Sequence, residues 1–156
     1  MMEALLVVDM GLRIGLALFS EEGRLLWYRS HNLGNRDRLR RAARRVLGEL
    51  PDLRHLLVEG GGPLADIWLK AAERQGVATH RTDAGTWRRS LLLPRSQRSG
   101  SDAKQAAGIV ARQIISWSEL PRPVALRHDA AEAICAGFWW ARKQGWLNVS
   151  LDEHIP

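Results

Sequence analysis

The sequence predicts an α/β fold in which a mixed sheet, three antiparallel strands and then parallel strands, is flanked by helices. Three observations predict it. Two apolar runs, Leu5-Leu6-Val7-Val8 and Leu53 to Val58, each suit a buried strand and each end in a carboxylate, Asp9 and Glu59. Between and after them the apolar spacing turns helical. The order strand, helix, strand from Leu53 to Arg81, with short links, is a right-handed crossover and makes those strands parallel. At 156 residues the chain forms one domain, expected over 1–145 with a tail over 146–156.

Asp9 ends the first strand, and Gly11 and Gly15 let the chain turn into a second apolar run, Ile14 to Phe19. After the turn Glu21-Glu22-Gly23, Arg24 to Ser30 alternates as a third strand. From Asn35 the period is helical: Leu39, Ala42, Ala43, Val46 and Leu47 share one face. Arg36, Arg38, Arg40, Arg41, Arg44 and Arg45 take the rest, either as a solvated face or as phosphate contacts. Leu53 to Glu59 is the fourth strand. Gly60-Gly61-Gly62-Pro63 then opens a helix over Leu64 to Gln75 with Ile67, Leu69, Ala71 and Ala72 inward.

Val77 to Arg81 is a short fifth strand, and Thr82 to Arg89 reads as a loop and helical turn. Leu91 to Ser101, with Pro94, Gly100, Arg95 and Arg98, reads as a mobile basic loop. Ser101-Asp102-Ala103-Lys104 starts a helix with Ala107, Val110, Ile114 and Trp117 inward. The last helix, Asp129 to Lys143, turns Ala130, Ala133, Ile134, Gly137 and Trp140 inward.

Composition narrows the function. The 23 Lys and Arg against 17 Asp and Glu leave a net charge of +6. Most of the cations are Arg, whose planar fork pairs with phosphate, so nucleic acid is the natural partner. Seven Trp could serve the core, base stacking, or both. The single Cys135 and the lack of Cys/His ligand spacing argue against zinc and for a reducing cytoplasm. No apolar run approaches the ~20 residues that span a bilayer, and the N-terminus has no basic start of a signal peptide.

Four acids remain at strand ends and a helix start: Asp9, Glu59, Asp129 and Glu132. Hard Mg²⁺ or Mn²⁺ prefers carboxylate oxygens, and phosphodiester cleavage by two ions about 4 Å apart uses such a set. Asp129 and Glu132 stand three apart, so on a helix they share a face about 5–6 Å apart at Cβ. Asp9 can then bridge both ions. The competing reading of the helix pair is N-terminal acids favoured by the dipole.

Four pieces in this order, Asp9-Met10-Gly11, Val58-Glu59, Ser101-Asp102-Ala103-Lys104 and His128-Asp129-Ala130-Ala131-Glu132-Ala133, resemble the RuvC family of Holliday-junction resolvases, with its ribonuclease H-like fold. The resemblance runs over roughly Leu5 to Ala141. It implies a Mg²⁺-dependent endonuclease with two ions per site, Mn²⁺ substituting, that cuts four-way DNA junctions as a homodimer. It places Asp9, Glu59, Asp129 and Glu132 as metal ligands and Lys104 beside the scissile phosphate; His128 either adjusts the metal-bound water or is simply a satisfied surface histidine. Arg13, Arg88, Arg89, Arg95 and Arg98 join Lys104 as DNA-binding residues. Arg13 to Ala17 also resembles the opening of the related YqgF proteins, so an RNA-directed nuclease, or a catalytically silent nucleic-acid-binding protein of the same fold, is the alternative. The apolar face from Leu64 to Ala72 around Trp68 is either the dimer surface or simple packing on the sheet.

Overall fold

A computed structural model of the chain describes residues 4–11 and 13–148; the expected tail from 149 onward lies outside them. Five strands, β1 (Ala4–Asp9), β2 (Arg13–Phe19), β3 (Leu25–Asn32), β4 (Leu53–Glu59) and β5 (Ala78–Thr82), form one sheet in the order β3-β2-β1-β4-β5. β1, β2 and β3 pair antiparallel, while β4 joins β1, and β5 joins β4, in parallel. The expected mixed sheet is the one observed. Among the described residues no helix is long and apolar enough to cross a membrane.

Strand periodicity sorts the side chains between the two faces. Leu6 and Val8 of β1 and Leu56 and Val58 of β4 point to one face, under α1 (Arg36–Gly48) and α2 (Gly62–Arg74). Leu5, Val7 and Leu57 point to the other, under α3 (Ala84–Leu91), α4 (Gly100–Trp117) and α5 (His128–Lys143). Asp9 and Glu59 continue the second series, so both carboxylates face α3 and α5. Register places Asp9 opposite Gly15 and beside Glu59.

Gly15 does not belong to the turn, as its spacing suggested. It lies inside β2, where a Cβ would sit 1.9 Å from the Asp129 carbonyl oxygen at the start of α5. Gly137 has the same role on the helix side, since a Cβ there would meet Phe19 at 2.2 Å and Val7 at 2.8 Å. Only glycine at these two points lets α5 lie this close to β1 and β2.

Three expectations about packing are corrected. Of the two readings of Trp68, packing on the sheet holds, since it is wholly buried with Ala65 and Ala72, whereas Ile67, Leu69 and Ala71, expected inward, are only partly covered. A bulky indole filling the space under α2 displaces its neighbours in sequence toward the helix flanks. In α4 the inward residues are Ala103, Ala107, Ala111, Ile114 and Ile115, a seam one step around the helix from Val110 and Trp117. The basic loop is folded: Pro94–Gln97 makes a 3₁₀ turn, and Gln97 Nε2 donates to the carbonyls of Arg88 and Leu92 at 3.2 and 3.1 Å. Ser99 then caps α4 by accepting from the Asp102 N–H at 3.1 Å.

Beyond α5, Trp146 sets its ring edge on Trp140, and Leu147 is buried in the α5-side core. The expected tail thus begins within the packed structure.

Candidate metal centre

Three elements far apart in sequence deliver the acids. Asp9 ends β1, Glu59 ends β4, and Glu132 lies one turn into α5. One carboxylate oxygen from each lies within 4.8 Å of the other two. Asp9 and Glu132 open into a cleft of about 570 Å³ also lined by Arg13, Lys104, His128 and Asp129, while Glu59 lies buried beside them. The cleft adjoins a larger groove of about 800 Å³ along α4 that shares Lys104, Leu126 and His128.

Three of the acids, Glu59, Glu132 and Asp129, have their own support. Trp87, fully buried on α3, donates its indole N–H to Glu59 Oε1 at 2.9 Å. Asp83 holds α3 in place by accepting at its N-terminus from the Thr86 N–H and hydroxyl, at 2.8 and 2.9 Å. Those hydrogen bonds keep the Asp83 carboxyl below its ordinary range. Arg88, the next residue of α3, donates to Glu132 from a side chain only 21% exposed. Asp129 is steadied from β3: Ser30 Oγ donates to its Oδ1 at 2.8 Å, and the Ala130 N–H to the same oxygen at 2.9 Å.

Crowding of the acids shows in their protonation. Burial, reinforced by the charges of Glu59 and Glu132, pushes Asp9 from 3.8 up to about 10. Burial also raises Glu59, partly offset by its hydrogen bonds to Asp9 and Trp87. Glu59 Oε2 and Asp129 Oδ2 are buried without a hydrogen-bond partner. Buried carboxylate oxygens left unpaired and crowded together are costly unless a cation joins them. Hard oxygen donors in a tight group therefore fit a divalent ion such as Mg²⁺ or Mn²⁺.

Sequence-predicted residues distribute as follows. Asp9, Glu59 and Glu132 converge, and Asp129 lines the same cleft but outside that trio, with one oxygen engaged by Ser30. Lys104 and Arg13 stand exposed on the rim. Arg88 turns inward to the acids instead of outward, drawn by the opposite charge of Glu132. Arg89, Arg95 and Arg98 are exposed and do not line the cleft. Sequence reasoning missed Trp87 and Ser30. The only trace of Trp87 was its place four residues beyond Asp83, a helix-capping residue type; Ser30 left none.

No protein-family model matches the sequence, and no curated protein matches it. Among solved structures, the chain is similar to RuvC of T. thermophilus in complex with a Holliday junction substrate. The TM-score is 0.63 at 19% identity, over 90% of this chain and 96% of that one. At that identity the likeness is one of fold.

Proposed function

We propose that this chain is a metal-dependent, structure-selective endonuclease that hydrolyses phosphodiester bonds of four-way DNA junctions, each subunit of a homodimer nicking one strand. The observation that carries this reading is the convergence of Asp9, Glu59 and Glu132 beside a basic-rimmed cleft that Asp9 and Glu132 line, on a fold shared with a RuvC solved on a Holliday junction. Asp9, Glu59 and Glu132 would hold Mg²⁺, with Mn²⁺ as a substitute, and Asp129 would complete a set for two ions. Such ions polarise the phosphate and ease deprotonation of the attacking water.

The chain's own residues do the rest. Lys104 and Arg13 on the rim bind the phosphates flanking the scissile bond. Arg88 balances the charge of Glu132 and fixes its carboxylate, while Trp87 and Ser30 orient Glu59 and Asp129. His128 stands at the mouth, where it can hold a proton near the attacking water. Paired nicks on opposed strands require two sites related by a two-fold axis, which a closed homodimer supplies. The working compartment in this reading is the cytoplasm.

Labelled four-way, three-way and linear DNA, incubated with and without Mg²⁺, test the reading. Expected are symmetric nicks in the four-way junction alone and only with the metal. Equal cutting of all three DNAs would leave an unselective nuclease of this fold, and cutting of structured RNA in their place would favour the YqgF-like alternative.

A further inference from the structure

The arginines of α1 have no role in the acidic cleft. Arg36, Arg38, Arg40, Arg41, Arg44 and Arg45 are all exposed on the opposite face of the sheet. Two of them, Arg40 and Arg44, join Lys70 and Arg74 of α2 in lining a groove of about 310 Å³ between the helices, with Asp66 as its one acid. A neighbouring groove of about 350 Å³ shares Arg44, Ala71 and Arg74 and extends the first past Leu47 and Gln75. Among the described residues only Arg40 of the four has an ion-pair partner, Asp37 at 3.2 Å. Arg36, Arg38, Arg41 and Arg45 lie outside the groove, but the four cations that line it face one acid across a concave surface, where their potentials add.

Topology gives the groove its direction. β3 runs parallel to β1, since each pairs antiparallel with β2. α1 and α2 therefore both begin at the sheet edge that carries Asp9 and Glu59 and run away from it. Pro63, at the head of the groove, stands four residues after Glu59. Thirteen residues of helix cover about 20 Å, the length of about six base pairs of duplex.

We propose that the α1–α2 groove is a second phosphate-binding surface, which grips the backbone of a DNA arm leaving the catalytic cleft. Arg40, Arg44, Lys70 and Arg74 contact phosphate oxygens, and Ile67 and Ala71 supply a small apolar floor. The inference rests on the nuclease reading only in the choice of DNA; its readout is binding without divalent metal, so loss of cleavage and loss of the groove are separate results.

The test compares wild type with R40Q/R44Q/K70Q/R74Q, in EDTA over a salt series. The probes are a four-way junction with short arms, one with arms longer by about six base pairs, and linear duplexes of matching lengths. All four substitutions are at exposed positions, and thermal melting checks the fold. On the longer arms the variant's log–log salt slope should shrink by about 3.6, near 0.9 for each of the four phosphates no longer bound, with affinity down at least about tenfold. On the short-armed junction it should match wild type. In the wild type, Lys70 should be shielded from acetylation by the long-armed junction and not by the short one, a measurement that needs no variant. Unchanged slopes, an equal loss on both arm lengths, or an unshielded Lys70 would overturn the proposal. So would a variant that loses self-association while its DNA slope stays put, because the groove would then serve a protein partner.

Discussion

Helices α1 and α2 cover one face of the sheet through large side chains, Leu39, Val46, Leu47 and Trp68, whereas α5 lies on the other through Gly15, Gly137 and a run of alanines from Ala130 to Ala136. Large residues keep a helix at ordinary distance from a sheet and bind it by buried area. Glycine and alanine shorten that distance, and here the shortened side is the side of the acids. The convergence of Glu132 on Asp9 and Glu59 is thus a packing result before it is a chemical one. Both faces carry a packed core, and the α5 side also sets the geometry of a site.

The sharpest way to separate those roles is Asp9→Asn, which should reduce nicking about a thousandfold, the several kcal/mol a lost metal bridge represents. The same change should raise the melting temperature of the metal-free protein. Asp9 is held protonated up to about 10 in the fold and ionises near 3.8 when unfolded. The folded state therefore binds more protons across that window, and wild-type stability falls as pH rises through it. Melting curves from pH 5 to 9 should slope downward for wild type and less steeply for Asp9→Asn; equal slopes would reject Asp9 as the group responsible.

On the opposite face, Trp68→Ala should cost about 3–5 kcal/mol of stability by opening a cavity, while nicking per folded molecule stays at the wild-type level. Denaturant melts with activity normalised to the folded fraction measure both. A specific activity that fell with stability would mean that the two faces are not separable.

Gly15→Ala should show the reverse balance. Its Cβ meets the backbone of Asp129, which has no rotamer to escape into, so the start of α5 must move; overpacking of this kind costs about 1–3 kcal/mol. Nicking should fall by more than that loss of stability explains. Gly137→Ala presses on the Phe19 ring, which can turn aside, and should keep more activity for a similar change in melting temperature.

The smallest effect belongs to Trp87→Phe, which leaves Glu59 Oε1 without its donor at about 1–3 kcal/mol. That hydrogen bond restrains the upward shift of Glu59, so its loss moves Glu59 further up. Thermal stabilisation by Mn²⁺, which requires the ionised carboxylate, should then need a higher pH in the variant. An unchanged pH profile would limit Trp87 to packing.

Most of the fold was legible because it rests on local signals: apolar runs, glycine and proline punctuation, and a helical arginine face whose buried side was read residue for residue. The acids were legible because a charge at the end of an apolar strand is conspicuous. What stayed hidden depends on elements that meet only in three dimensions. Gly15 looks like a turn residue until α5 lies across it, and Arg88 looks like an outward cation until α3 brings it to Glu132. Nothing local to Trp68 or Trp87 tells their roles; only the sheet decides that one fills a core and the other donates to a Glu59 oxygen.

The spacing of the acid trio has a further consequence in time. Asp9, Glu59 and Glu132 are spread over most of the described chain, and the third lies on its final helix. A chain emerging from the ribosome exposes its sheet strands and α1 to α3 before α5, the last of these elements in the order of synthesis. Until then two acids stand without the third, and Arg88 without its partner. Assembly of the acid trio thus waits until α5 has been made and has docked.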